Sequence, residues 1–297
     1  METSSVTFKS LLKWYAITAL TAAGVIIAAI CILEFIAPVS VYSDTFQSLN
    51  TFFGERFLIY VLVGFSAQMI DGALGMAYGI SSTTFLMSAG ISPAVASASV
   101  HVAEVFTTAA SGISHWRLGN VNKNLFLKLV IPGAVGAAIG AYVLSSFDGK
   151  IIKPYISAYL LIMGIVILFK AFRRKIAFKE VHHVKWLALF GGFADASGGG
   201  GWGPVVASTL IGRGNHPKPT IGSVNAAEFF ITLSASGVFT LFIGITHWQI
   251  IAALILGGIV AAPVAALITH RINHKISMIF VGLLIVFLSV RTILLEF

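Results

Sequence analysis

Charge is the scarcest ingredient of this 297-residue chain: only 10% of its residues are Asp, Glu, Lys or Arg, while 57% are hydrophobic. Soluble globular domains carry about 25% charged residues. The composition therefore excludes an ordinary soluble domain and points to an all-α integral membrane protein. Cysteine is scarcer still. The single Cys31 lies in an apolar run, which excludes a disulfide within the chain. Enzyme signatures are missing too: there is no HExxH pair, no serine-nucleophile motif and no phosphate-binding loop ending in Lys-Ser/Thr. These gaps argue against an enzyme, against a nucleotide cofactor, and against an ATP-driven pump built from this chain alone. The net charge of +8 does not indicate nucleic acid, because membrane proteins distribute Lys and Arg to fix their orientation.

Apolar runs are abundant. The first, Trp14 to Leu33, has twenty uncharged residues, longer than the apolar part of a signal peptide and without a clear small-x-small cleavage site. It reads as a retained transmembrane helix. Further runs cover 57–70, 79–89, 93–113, 124–146, 154–170, 186–197, 203–212, 219–243, 248–269 and 276–294. Four of these, 57–70, 79–89, 186–197 and 203–212, would be only about 13–21 Å long as helices, against a hydrocarbon core of about 30 Å. They form two pairs, joined by DGALGMAYG (71–79) and DASGGGGWG (195–203). If both pairs enter and return as re-entrant hairpins and the N-terminus is cytoplasmic, fifteen Lys and Arg lie inside and four (Arg56, Lys150, Lys153 and Arg291) outside. If both pairs cross, the better split is eleven against eight. The positive-inside rule favours the hairpins.

The two joining stretches belong to a longer repeat. At a constant offset of 124 residues, Asp71 meets Asp195, Gly75 meets Gly199, Tyr78 meets Trp202 and Gly79 meets Gly203. Pro93 then meets Pro217, Ser99 meets Ser223, and Glu104 meets Glu228. Each Asp–Glu pair is 33 residues apart. The expected organisation is an N-terminal helix with an outer loop (1–55), repeat 1 (56–170), a basic cytoplasmic connector (171–185) and repeat 2 (186–297). One hairpin plus three spans is an odd number of crossings, so the two repeats would be inverted relative to each other. Inverted repeats with interrupted helices mark transporters, and the interruptions point to the substrate site near the midplane.

The second joining stretch, GGFADASGGGGWGP (191–204), resembles the glycine-rich signature of the TauE/SafE sulfite-exporter family. GFSAQMIDGALGMAYGISSTT (64–84) and ASASVHVAEVFTTAASGISHWRLGNV (96–121) are similar to a branch of it. The resemblance covers about residues 57–294. It implies membrane transport of small sulfur-containing anions such as sulfite or organosulfonates. The first copy departs from the glycine run, with Leu74, Met76 and Ala77 in it. A bacterial inner membrane is the expected location, and a homodimer is left open.

Four acidic residues lie deep in apolar segments: Asp71, Glu104, Asp195 and Glu228, the four that the repeat pairs up. Ionisable groups inside a bilayer face a cavity, a partner or a pathway. Asp71 and Asp195 sit where free amides at a broken helix need an acceptor, so they read as structural caps as readily as coupling groups. No Lys or Arg lies mid-span. An anion would then be balanced by helix N-termini and by backbone amides exposed at glycines. The expected substrate-binding residues are Gly75, Tyr78, Gly79, Ser82, Thr83, His101, Ser197, Gly199, Gly200, Gly201, Trp202 and Asn225. The glycines would equally permit close helix packing.

His101 and Glu104 share a helix face and could relay a proton. A neutral, hydrogen-bonded His101 is the plainer alternative, and its repeat counterpart Asn225 cannot titrate. His115 and His247 begin the two HW pairs and read as interfacial anchors beside Trp116 and Trp248. The competing function is a transporter of a cation or metal using the four carboxylates and His101. A soft-metal site is weakly supported, with one deep histidine and no cysteine pair, and no resident metal is expected.

Overall fold

The structure, a computed structural model, describes residues 56–172, 183–269 and 274–295. The expected N-terminal helix at 14–33 and most of the 171–185 connector lie outside the described residues. The chain divides between Leu58 and Ile59 into two compact units, and nearly all described residues belong to the second.

The described residues are helical, without strands. In chain order the helices are α1 (Phe57–Leu74), α2 (Tyr78–Ser88), α3 (Pro93–Arg117), α4 (Lys123–Ser145), α5 (Gly149–Phe172) and α6 (Val184–Gly198). A π-helical turn (Gly203–Ala207) runs into the short α7 (Ser208–Gly212). Then come α8 (Pro217–Phe242), α9 (Trp248–Ile268) and α10 (His274–Leu294). Six of these are long and apolar enough to cross a membrane: α1, α4, α5, α8, α9 and, from Lys275, α10. A helix satisfies its own backbone hydrogen bonds, which a hydrocarbon environment demands.

Local signals set several boundaries. Pro93 and Pro217 start α3 and α8 with a pre-set φ, each after an extended residue. Asn122 accepts the Leu125 amide at 3.1 Å and so caps α4. One expected boundary moves. The apolar run ends near residue 70, but α1 continues to Leu74 and reaches 18 residues, about 27 Å. Gly72, Ala73 and Leu74 tolerate helical backbone, and the helix gives way only where Gly75 takes φ 70°. The segment expected to be too short to cross is thus long enough. By contrast α6 stays short, at 15 residues.

The packing puts polar groups inside and apolar groups outside. On α4, Leu127, Ile131, Val135 and Ile139 are exposed at every fourth position. The opposite face, with Gly133, Gly136, Ala137, Gly140 and Ala141, is buried against α6. Small residues let those backbones approach closely: a Cβ on Gly136 would stand 3.0 Å from the Phe193 amide nitrogen. The centre is formed by α3, which packs on α8, α9 and α2. Its buried face carries Ser97, His101, Glu104, Thr107 and Ser111, and that of α8 carries Ser223, Asn225, Glu228 and Thr232. Hydrophobicity cannot select such an arrangement. A polar site at the centre of the bundle accounts for it.

Candidate functional site

The helix breaks at 75–77 and 199–202 meet backbone to backbone. A Cβ on Gly200 would lie 2.7 Å from the carbonyl carbon of Gly79 and nearer still to the Ile80 backbone. On Gly203 it would come within 2.5 Å of the Gly75 carbonyl oxygen. Gly75, Gly199 and Gly200 take φ values of 70°, 73° and 144°, which side-chain-bearing residues rarely adopt. So glycine is required here both for conformation and for contact. The expected opening between two half-helices is closed in this conformation.

Each break is tied by its aspartate. Asp195 Oδ1 accepts the amides of Gly201 at 2.8 Å and Trp202 at 3.0 Å. Asp71 Oδ1 accepts the Tyr78 amide at 3.4 Å. Tyr78 and Trp202 are counterparts at the offset of 124. These are the capping roles expected of the two carboxylates, and they occupy amides that the anion reading assigns to substrate.

The aspartates also reach across to the other half of the sequence. His101 on α3 places Nε2 3.3 Å from Asp195 Oδ2. At its counterpart position on α8, Asn225 donates its amide nitrogen to Asp71 Oδ2 at 2.9 Å and to Glu228 Oε2 at 3.3 Å. That amide orientation follows from His115. Its Nδ1 accepts from Asn120 at 3.1 Å, so Nε2 carries the hydrogen and donates to Gly72 O at 2.9 Å. The Asn225 atom facing that N–H is therefore its oxygen. Around Asp195 the trio is His101, Glu104 and Asp195, with ligand atoms all within 4.8 Å of one another. Around Asp71 it is Asn225, Glu228 and Asp71.

Several buried polar groups here have no partner. Both oxygens of Glu104 are among them, with the residue 1% exposed. So are the hydroxyls of Ser81, Ser82 and Thr83 at the start of α2, that of Ser111 on α3, and both ends of Gln68. Buried polar atoms in proteins are nearly always bonded, and most of the unpartnered ones among the described residues lie in this cluster.

Of the expected binding residues, Gly75, Gly79, Gly199 and Gly200 lie at the contact between the breaks. Tyr78 instead donates its hydroxyl to Leu254 O and Trp202 its indole N–H to Val224 O, each at 3.3 Å, and Gly201 packs against Tyr159 and Asp195. Thr83 packs against Gly199, and Ser82, His101 and Asn225 are fully buried. Ser197 goes elsewhere: its hydroxyl donates to Phe193 O of its own helix at 2.6 Å, on an exposed side. The expectation that His115 is an interfacial anchor is corrected, because it is fully buried beneath the first break. Adjacent helical residues point about 100° apart, so the exposure of Trp116 turns His115 inward. Trp116 and Trp248 are half-exposed, as interfacial tryptophans would be.

The sequence reading missed Tyr159, whose hydroxyl donates to Gly200 O at 3.0 Å, and Ser97, which donates to Ala196 O at 3.1 Å. It also missed Gln68, although that residue lies three positions before Asp71, a spacing that shares a helix face. Nothing near Tyr159 in the sequence distinguishes it from other membrane tyrosines.

Comparison with known proteins agrees with an integral membrane protein. The profile of the sulfite exporter TauE/SafE family matches residues 60–292. The probable membrane transporter protein YtnM of Bacillus subtilis strain 168 is 43% identical over 252 residues, which cover 82% of this chain and 84% of that protein. No solved structure matches the chain. With nearly all of the described bundle inside the matched range, the chain belongs to the TauE/SafE sulfite exporter family of membrane transporters.

Proposed function

We propose that the protein is a secondary transporter or facilitator that moves a small sulfur-containing anion, sulfite or an organosulfonate, between its two glycine breaks. The observation that carries the reading is the run Ser81, Ser82 and Thr83, three buried hydroxyls without partners on the half-helix that follows the first break. The same half-helix offers the first-turn amides of Gly79 and Ile80, which have no partner within the helix, and the positive end of its dipole. Consecutive hydroxyls on a helix point about 100° apart, so one or two of them together with the amides would offer a neutral, donor-rich side to an oxyanion. The family name, sulfite exporter, supports the choice of anion.

Because the breaks touch, the anion enters only when they part. We take the two halves to be inverted repeats, each with a re-entrant helix pair and three spans, in a bacterial inner membrane with the N-terminus cytoplasmic; α1 is long enough to cross, so it is the placement of Lys and Arg, and not helix length, that supports its return with α2. Parting on alternate sides then follows from the symmetry of the repeats.

A second reading has its own observation. The trio His101, Glu104 and Asp195 has a donor set that a divalent cation could use. Purified protein in liposomes separates the two readings when sulfite and sulfonate flux is assayed beside sodium and divalent-metal flux. Saturable anion flux, lost in Gly200→Leu protein that still inserts, is the expected result. Metal flux without anion flux would overturn it.

A further inference from the structure

We propose that Lys170 and Arg291 are the receiving cations of the pathway, one near each end, and that each holds a half-helix closed until an anion takes its place. The inference rests on the anion-transport reading above and adds to it two binding residues and the step that lets the breaks part.

Lys170 and Arg291 each lie in the last turn of their helix, α5 and α10 respectively. The two helices pack antiparallel: Gly164 lies against Ile285, and Gly282 against Leu168. The cations therefore stand at opposite ends of one helix pair. Each reaches the segment that follows a break. Lys170 Nζ donates to Pro204 O at 2.9 Å, on the π-helical turn, and to Ser208 Oγ at 2.6 Å, at the start of α7. Arg291 Nη1 donates to Ser88 O at 2.6 Å and also to Ser88 Oγ, at the end of α2. In both cases the acceptors are one carbonyl and one hydroxyl, and they belong to the other half of the sequence.

The contact recurs although the positions do not. At the offset of 124, Arg291 corresponds to Ile167, three residues before Lys170, and Ser208 corresponds to Thr84, four before Ser88. Both spacings keep a residue on the same helix face. Each partner is thus displaced by about one turn, and the bond between them is kept. One such bond alone would be helix capping. Two of them, at opposite ends and on the two segments that move when the breaks part, point to the transport step.

A carbonyl or hydroxyl offers a cation only a dipole, whereas an oxyanion offers a full charge. An arriving anion therefore displaces the resting acceptors. Arg291 is prepared for it. Among the described residues only its Nη1 is engaged and no carboxylate pairs with it, so the planar fork is open to two oxygens of one anion. Lys170 lines an open hollow of about 370 Å³ with Val166, Phe169 and Phe172, through which a small anion reaches the ammonium without unpacking α5. Release leaves little unsatisfied behind, since Pro204 O keeps the Ser208 hydroxyl of its own segment. Arrival of the anion and loosening of the half-helix are then one event. Both cations flank the central site without standing in it, in keeping with the lack of Lys and Arg at mid-span.

The test measures sulfite and methanesulfonate flux in liposomes whose protein orientation is established by protease accessibility. Half-saturating concentrations are determined with the anion supplied at one face and then at the other. Arg291→Gln should raise the value about tenfold at one face, and Lys170→Gln by a similar factor at the opposite face. Arg291→Lys keeps the charge and should shift it less. Ser88→Ala and Ser208→Ala each remove one resting acceptor and keep the cation. They should lower the value at the face of the matching cation, and they supply the readout if a charge variant does not insert. Liposomes of phosphatidylcholine, with and without phosphatidylglycerol, distinguish the substrate from a lipid phosphate as the anion received. Equal shifts at both faces, a lower maximal rate with half-saturation unchanged, or a shift seen only with phosphatidylglycerol would overturn the proposal and leave the transport reading standing. Wild-type protein that moves neither anion would overturn both.

Discussion

Ala77 sits at φ 106° in the first break, a conformation that L-residues rarely adopt, and its counterpart in the other copy is Gly201. Removing the Cβ should relieve strain, so Ala77→Gly is expected to stabilise the protein by about 1 kcal/mol. Thermal unfolding in detergent should show a higher Tm; a lower one would mean that the strain is not there. Asp195 ties two backbone amides in a buried place, and Asp195→Ala should destabilise by about 2 kcal/mol or more through the unpaired donors it leaves. An Asp195→Ala protein as stable as wild type in the same melt would refute the capping role. These carboxylates were legible in the sequence because charge is so rare in the apolar segments. Ser197 and His115 were misplaced for a geometric reason. Nearness in sequence to a site does not say which way a helical side chain points, and a step of one residue turns it by about 100°.

At the scale of helices, the proposed transport turns on the two breaks. Gly199→Leu or Gly200→Leu should abolish anion flux while the protein still inserts, because the added side chain must displace the Thr83 side chain or the Ile80 backbone. Flux measured in liposomes at matched protein levels checks this, and unchanged flux would remove the breaks from the pathway. The long spans could be read from their apolar runs to within a few residues. The end of α1 could not, since Gly72–Leu74 are compatible with either helix or break until the neighbouring segment packs on them. The tight α4–α6 contact was equally hidden. Glycines at 133, 136 and 140 signal close approach to a helix without naming which one.

For the whole molecule, the offset of 124 residues returns in three dimensions as paired contacts: His101 with Asp195, and Asn225 with Asp71. The sequence showed that these residues correspond. It did not show that each aspartate is held by the helix of the other half, because correspondence along a chain carries no information about which copy touches which. Nor did it show that the breaks close on each other, since helix dipoles aimed at a common point are compatible with an open or a closed centre. The account's central claim is that these breaks part to hold the anion. A cryo-EM structure determined in lipid with sulfite tests it most directly. The account predicts sulfite density between the Gly79 and Gly200 backbones, within hydrogen-bond reach of Ser82 or Thr83, with the two breaks separated. Sulfite bound elsewhere while the breaks remain in contact would contradict it.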